Sequence, residues 1–514
     1  MRYEPERPYR GLTSKPGMFV SEENGSSRFR DFFNKLLSPA GLIVILILMA
    51  VVSVTIATFG AVAGYISLAL LVGLPTVFAV VIYPRLGIII LMIFAYFIMF
   101  IIRIIQGLPL GTIMDMLQWL LIFGFLLRQK YEGNWKILKT PISITILIWI
   151  IYNIFQVANP TTEARMAWLY TVRTVAIVTL MYFIFTYYIR SVQFIRLIFK
   201  VWMALAILAA LYAIKQEYFG FFEFEERELQ DPLLQLLLFI NGSWRKFSIF
   251  SDPVAFSYNM VSAAIFCIVM TLSSVTWKSK IIYGCLSALF ITVMLYSGTR
   301  GAYVLIPAAM ILYVVMNINK KTFLIAVVGG IFFMMLINVP TSNTTLYRFQ
   351  SAFKPSDDAS FNVRKQNQKL IQPYILTHPL GGGLGATGGW GVRFAPYSFL
   401  ANFPPDSGYV RVAVELGPIG LLLFCIMMFT ILYQGITGYF NIRDPELRTY
   451  CLAMTLVIFA LNIGNYPQEA LVQFPTNIFF YLFIAVISAC IRIDRENKQT
   501  VKEKHEGTLE MLLS

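Results

Sequence analysis

A glycine-rich stretch in the second half of the chain is the first feature whose residue types and spacing suggest a functional site. In HPLGGGLGATGG, residues 378–389, Gly383, Gly385 and Gly388 fit the G-x-G-x-x-G spacing of dinucleotide-binding loops. Such a loop needs a buried strand before it, a helix after it and an acidic residue about 20 positions further on. Here prolines precede the glycines and no βαβ pattern surrounds them. The stretch is therefore interpreted as a turn in which the backbone passes close to a substrate or to a neighbouring segment.

Other cofactor or metal sites are not indicated by the sequence. A phosphate-binding loop would need Gly-Lys-Ser or Gly-Lys-Thr after the glycines, and neither is present there. The five cysteines all fall within apolar runs, so their spacing predicts neither a disulfide framework nor a metal site. We expect no cofactor, no metal and no nucleic-acid partner. Only two histidines occur, His378 and His505.

The elements that must position these residues are membrane helices. Of the 514 residues, 58% are hydrophobic and 13% are charged, the mean hydropathy is +0.69, and apolar runs long enough to cross about 30 Å of hydrocarbon recur along the chain. The sequence predicts an all-α polytopic membrane protein with about 14 transmembrane helices (12 to 14). The predicted spans are 39–59, 61–83, 87–106, 110–127, 142–157, 166–189, 194–214, 253–273, 280–296, 302–318, 322–338, 409–433, 450–465 and 474–492.

Lysine and arginine in the short loops favour one side of the predicted membrane, which places both termini in the cytoplasm. Basic residues are usually sparse in outer loops, so those in the long outer segment, Arg348 among them, are expected to serve a ligand. The predicted regions are a basic cytoplasmic tail (1–38), membrane helices (39–338) with an outer loop (215–252), a large outer loop containing short helices (339–408), further membrane helices (409–492) and a cytoplasmic tail (493–514).

Four stretches, in this order, resemble the O-antigen ligase and polymerase family of bacterial envelopes. The resemblance covers residues 243–425, while the first 240 residues are similar only in having many spans. The stretches are SWRKFSIFSDP (243–253), YSGTRGAYVLI (296–306), NVRKQNQKLIQPYILTHPLGGGLG (362–385) and PPDSGYVRVAVELGPIGLLLF (404–424).

The resemblance implies a GT-C-like enzyme of the plasma (inner) membrane that transfers a glycan from undecaprenyl diphosphate at the outer, periplasmic face. Its partners would be the lipid-linked glycan, the bilayer and a chain-length regulator protein. Matching positions make Arg245, Arg300 and Arg364 the expected diphosphate-binding residues. Arginine suits this task because its guanidinium stays charged and binds phosphate oxygens through two hydrogen bonds.

Asp406 and His378 are the candidates for the base that accepts the acceptor's proton. His378 could instead be a hydrogen-bonded turn residue, and Asp406 could cap the helix that begins near Gly408. Ligases of the family are expected to carry a histidine at the position that Asp406 occupies. This departure favours a polymerase and argues against direct transfer to lipid A-core.

Other charged residues have open assignments. Arg173, deep in a predicted span, could contact lipid diphosphate or a neighbouring carboxylate. Arg411 and Glu415, four apart on one helix face, are expected to pair, and Glu415 also belongs to the family-like ELGPIG. Arg103 and Asp115 are expected to pair across a short turn.

The sequence is compatible with three functions. The first is polymerisation of O-antigen, capsule or exopolysaccharide repeat units. The second is ligation of a finished glycan to lipid A-core or to protein. The third is transport, as by a lipid-glycan flippase, although the concentration of polar residues in two unequal outer loops favours chemistry at the membrane surface.

Overall fold

The structure, a computed structural model, is almost entirely α-helical over the residues it describes. The predicted tail of residues 1–38 and the predicted span 61–83 lie largely outside them. The described residues are 38–60, 64, 73, 77–105, 110–240, 242–342, 344–353 and 359–513.

The described residues form nineteen α-helices, numbered in chain order, and one two-stranded antiparallel hairpin that joins α8 to α9. The elements are α1 (Pro39–Phe59), α2 (Pro84–Ile104), α3 (Leu110–Glu132), α4 (Pro141–Phe155), α5 (Arg165–Tyr188), α6 (Val192–Tyr218), α7 (Glu223–Glu228), α8 (Pro232–Leu238), β1 (Phe239–Ile240), β2 (Ser243–Trp244), α9 (Pro253–Ser273), α10 (Trp277–Tyr296), α11 (Arg300–Tyr303), α12 (Leu305–Met316), α13 (Lys320–Asn338), α14 (Thr344–Ser351), α15 (Ala359–Thr377), α16 (Gly388–Phe394), α17 (Gly408–Asn441), α18 (Pro445–Gly464) and α19 (Thr476–Leu513).

Ten helices among the described residues are long and apolar enough to cross a membrane: α2 to α6, α9, α10 and α17 to α19. Shorter apolar helices occupy the predicted spans 302–318 and 322–338. The prediction of an all-α polytopic membrane protein is therefore confirmed. The count of about fourteen spans and the cytoplasmic placement of both termini stay predictions.

The chain divides into two compact units. The first contains the described residues within 1–87 and 120–135, and the second contains the described residues within 88–119 and 136–514. In the first unit, Gly87 allows close packing, since a Cβ there would lie 2.8 Å from a methyl carbon of Leu121.

The interior of the second unit is built around α9, which packs against α10 and α18, and around α19, which packs against α5 and α18. Two polar side chains on α9 bind its neighbours. Asn259 Nδ2 donates to Thr476 Oγ1 over 3.0 Å, and Tyr258 Oη donates to the Gly464 carbonyl over 2.9 Å. Such hydrogen bonds fix helix positions where apolar contacts alone leave the register loosely specified.

Helix α17 is broken at Gly417, whose φ is +71°, and Pro418 follows. Proline has no N–H, so it cannot donate to the carbonyl four residues before it, that of Val414. The glycine-rich turn provides the missing donor: Gly382 N donates to Val414 O and Gly383 N to Glu415 O, each over 2.9 Å. The turn and the break in α17 therefore complete each other's hydrogen bonding.

This pairing requires glycine at the contact. Gly381 has φ +72°, and a Cβ there would lie 2.5 Å from the Glu415 carbonyl oxygen. On the other side of the turn, Asn159 Nδ2 donates to the Gly381 carbonyl over 3.0 Å. The glycine-rich turn thus approaches a neighbouring segment, which is one of the two interpretations of its composition.

We predict that Gly381→Ala destabilises the protein by about 3 kcal/mol or more, because the new Cβ must displace backbone in α17. Gly388→Ala should cost about 1 kcal/mol, since its φ is +69° but the space around it is open. Gly389→Ala, with open space and no left-handed φ, is the matched control. Thermal unfolding of the detergent-purified variants measures all three. Equal unfolding temperatures for the Gly381 and Gly389 variants would contradict the proposed contact.

Candidate functional site

Arg245 is held where the β1–β2 hairpin meets the turn after α10. Its Nε donates to Ser297 O over 2.8 Å and its Nη2 to Thr299 Oγ1 over 3.0 Å. Gly298 between these two residues has φ +59°, a left-handed conformation that glycine adopts without strain. The backbone turn that ends α10 thereby orients the guanidinium of Arg245.

Arg300 begins α11 immediately after that turn. Thr299 Oγ1 also donates to Pro253 O over 3.2 Å, so the turn is tied to the start of α9. Asp252 caps α9 by accepting from the N–H groups of Val254 and Ala255. The two quoted stretches that contain Arg245 and Arg300 are therefore adjacent in space.

Four arginines line one cavity of about 1170 Å³: Arg245, Arg300, Arg348 and Arg364. Arg245 directly follows the hairpin and the other three lie on α11, α14 and α15, so the four span residues 245–364 of the sequence. Further wall is supplied by Tyr409 at the start of α17, by residues 462 and 463 in the last turn of α18 and by residues 466–468 after it. The three arginines expected to bind diphosphate are thus brought together, and Arg348 joins them.

The electrostatics of this cavity favour an anion. Burial, followed by the charge of Arg348, lowers the pKa of Arg245 to about 10. Burial also lowers the pKa of Arg348, and Arg300 adds to that effect. Arg245 remains protonated at neutral pH, since a pKa of about 10 lies well above 7. Repulsion among the arginines is therefore a free-energy cost that a bound phosphate or diphosphate would offset.

Arg348 is the cavity arginine that the motifs missed. Its position in a basic segment that is predicted to be an outer loop was the one available signal, because none of the quoted stretches contains it. In the structure its guanidinium lies against Gly298, where a Cβ would come within 2.5 Å of Arg348 Nη1. No role was predicted from the sequence for the tyrosines of the cavity wall, although Tyr409 lies within one of the quoted stretches.

Asp406 lies near the cavity without lining it. It is exposed, its φ is +49°, and its Oδ2 accepts from Asn367 Nδ2 over 3.3 Å. Asn367 is three residues after Arg364 on α15, so both side chains lie on the same side of that helix. The cap of α17 is Ser407, whose side chain accepts from Val410 N, so the alternative assignment of Asp406 as that cap is wrong.

His378 lies in the turn that follows α15. Its Nδ1 is 2.9 Å from Thr377 Oγ1 and 3.0 Å from the Tyr374 carbonyl oxygen, and its ring stacks on Tyr374 with centroids 3.9 Å apart. It is not among the residues that line the four-arginine cavity. These contacts are those of a hydrogen-bonded turn residue.

Arg173 pairs with a neighbouring carboxylate, Asp115, over 3.0 Å. The expected pair of Arg103 with Asp115 is therefore wrong. Arg103 instead binds Glu228 over 2.8 Å and donates to the Ser251 carbonyl over 2.8 Å. Both contacts of Arg103 on α2 join residues that are more than 100 positions apart in the sequence.

Arg411 and Glu415 form the expected pair, with Nε and Oε1 3.1 Å apart, and Arg411 also binds Glu469 over 2.6 Å. Glu415 is 3% exposed, and its carboxylate accepts from Gly385 N and from Thr387. The pair thus holds the glycine-rich turn on α17. Within the described part of the chain, no group of three His, Cys, Asp or Glu side chains could hold a metal ion.

These features define a polytopic α-helical membrane protein with a cationic cavity built from a hairpin, short helices and helix ends. Residues 285–425 match the model of the O-antigen ligase family, so the resemblance seen in the sequence is confirmed over that segment. The match covers Arg300, Arg348, Arg364, Asp406 and the glycine-rich turn, and indicates a membrane enzyme of the O-antigen ligase and polymerase type. No curated protein matches the chain significantly.

We predict that purified protein is stabilised by inorganic pyrophosphate, by about 2.7 kcal/mol at a concentration of 100 times Kd. Arg300→Gln and Arg364→Gln should each weaken binding by about 10-fold to 100-fold, because a hydrogen bond to a charged group contributes about 1.5–3 kcal/mol. Arg393→Gln, an arginine of α16 that does not line the cavity, is the control. Thermal shift titrations measure the three affinities. Unchanged affinity in both cavity variants would contradict anion binding in this cavity.

Proposed function

We propose that this protein polymerises envelope polysaccharide by transferring a glycan from undecaprenyl diphosphate to a hydroxyl of an acceptor glycan. The observation that carries the proposal is the convergence of four guanidinium groups in one cavity. Three of them lie within the segment that matches the O-antigen ligase family. The reaction would take place at the outer face of the plasma membrane, with both termini in the cytoplasm.

The chemistry requires stabilisation of a leaving group. The acceptor oxygen forms a bond to the anomeric carbon of the donor sugar, and the bond from that carbon to the phosphate oxygen breaks. Undecaprenyl diphosphate departs with the electron pair and gains negative charge as it does so. Guanidinium groups already in place around the diphosphate stabilise this charge without reorganisation, and more strongly in low-dielectric surroundings than in water.

The acceptor's proton needs a base beside the arginines, and we assign this role to Asp406. Its carboxylate is exposed and is held by Asn367, one turn along α15 from Arg364. His378 is the weaker candidate, since its Nδ1 is engaged within its own turn. A carboxylate can accept the proton as the glycosidic bond forms and release it to water afterwards.

Polymerisation is favoured over ligation because Asp406 stands where ligases of the family are expected to carry a histidine. The alternative function is ligation of a finished glycan to lipid A-core or to protein, with the same donor and the same cavity. Transport without bond formation is the third function, and it leaves the pairing of a cationic cavity with a nearby carboxylate unexplained. A chain-length regulator partner rests on the family resemblance alone.

Deleting the gene and running the envelope polysaccharide on a gel distinguishes these three functions. We expect glycans of a single repeat unit, as loss of a polymerase produces. Full-length glycan that stays on its carrier would instead identify a ligase, and absence of outward glycan a flippase. Complementation with Arg300→Gln should leave the single-unit pattern although the protein accumulates in the membrane. Complementation with Arg393→Gln should restore long chains.

We predict that Asp406→Asn lowers the rate of chain extension by about 10²-fold or more, because general base catalysis contributes about 10² to 10⁴ in rate. His378→Ala should stay within about threefold of the unsubstituted protein. Both variants should bind inorganic pyrophosphate normally, since neither residue lines the arginine cavity. Measuring extension and pyrophosphate affinity side by side tests the assignment, and the opposite ranking of the two variants would transfer the role to His378.

A further inference from the structure

A second cavity, of about 430 Å³, adjoins the four-arginine cavity. Both cavities are lined by Tyr409 and Tyr466, so these two tyrosines form a shared wall. The remaining lining comes from one face of α15 and from α17. It consists of Lys365, Gln368, Lys369, Ile371, Gln372 and Ile375 on α15, and Val410, Ala413 and Leu421 on α17. We call this space the lysine cavity.

The lysine cavity has an apolar floor and a cationic rim. Ile371 and Ala413 on the floor are buried, whereas Lys365 and Lys369 at the rim are exposed and one turn apart on α15. Like charges four residues apart on a helix repel each other by about 0.2–0.5 kcal/mol. An anion between them would reverse that effect, and an apolar chain would suit the floor. The ligand chemistry that fits both features is a lipid carrying a phosphate.

We propose that the lysine cavity binds the phosphate-bearing lipid of the acceptor, while the four-arginine cavity binds the diphosphate of the donor. This inference rests on the proposed function, since a polymerase must hold two lipid-linked substrates at once. Two anionic head groups repel each other, so they need separate cationic sites. The two cavities provide such sites on either side of the tyrosine wall.

The arrangement of α15 places the base between the two sites. Arg364 lines the four-arginine cavity, Asn367 holds Asp406, and Gln368 lines the lysine cavity, all within little more than one turn of helix. Tyr409, three residues after Asp406, belongs to the shared wall. The acceptor glycan would therefore extend from its head group at the lysine rim to Asp406, where its hydroxyl loses a proton and attacks the donor sugar.

Farnesyl diphosphate, a water-soluble prenyl diphosphate, is the probe for counting the two sites on the full-length protein by native mass spectrometry. The unsubstituted protein and Arg393→Gln should each bind two equivalents. The double variant Lys365→Gln/Lys369→Gln should bind one, and so should Arg300→Gln/Arg364→Gln. Inorganic pyrophosphate, which has no apolar chain, should bind with high affinity only once and should be lost in the arginine variant.

The outcomes separate this inference from the function on which it rests. If the lysine variant binds two equivalents of farnesyl diphosphate, the acceptor site is overturned and the donor site stands. The same follows if the unsubstituted protein binds one equivalent and the arginine variant binds none. Two equivalents in the arginine variant would overturn the donor assignment and, with it, the proposed function. Two tight pyrophosphate sites in the unsubstituted protein would contradict the claim that the lysine cavity binds a lipid chain together with the phosphate. In chain extension, the lysine variant should raise the acceptor KM about tenfold with kcat nearly unchanged, as expected for loss of a binding contact.

Discussion

The contact between the glycine-rich turn and the break in α17 is the constraint on which the site depends. Pro418 removes a helical donor, and Gly382 and Gly383 replace it through their own N–H groups. Because the turn directly follows α15 and the break follows the first residues of α17, this contact fixes the distance between those two helices. As a result, Arg364 on α15 and Tyr409 on α17 line the same cavity.

Three of the four cavity arginines could be predicted from the sequence as site residues, and the chain could be predicted to be a polytopic membrane protein. The reasons differ from one prediction to the next. Arg245, Arg300 and Arg364 stand out because they lie in the stretches that resemble the family, and because charge near a predicted span is costly unless it has a function. The glycines stand out because few other residues tolerate left-handed backbone. The position of Arg348 beside the other three arginines and the true partner of Arg103 could not be predicted, since each depends on elements that meet across more than 100 residues of chain.

Asp406 and His378 show a further limit of reasoning from motifs. Both are titratable, both lie in segments that are predicted to be outer loops, and both belong to family-like stretches, so composition gave no reason to choose between them. Their neighbours distinguish them. Asn367, one turn from Arg364, hydrogen-bonds the Asp406 carboxylate, whereas Tyr374 and Thr377 contact the His378 imidazole within its own turn. Hydrogen-bond partners of this kind depend on helix packing, which no local pattern encodes.

The crowding of guanidinium groups around Arg245 also has a consequence for turnover. A cavity in which burial and neighbouring charge lower the pKa of an arginine to about 10 is least stable when it is empty. On the proposed chemistry, the glycan leaves as a neutral group at this centre, while the spent carrier leaves as a dianion or trianion. Release of the spent carrier from this cavity would therefore be slow, and turnover would depend on exchange of one carrier for the next.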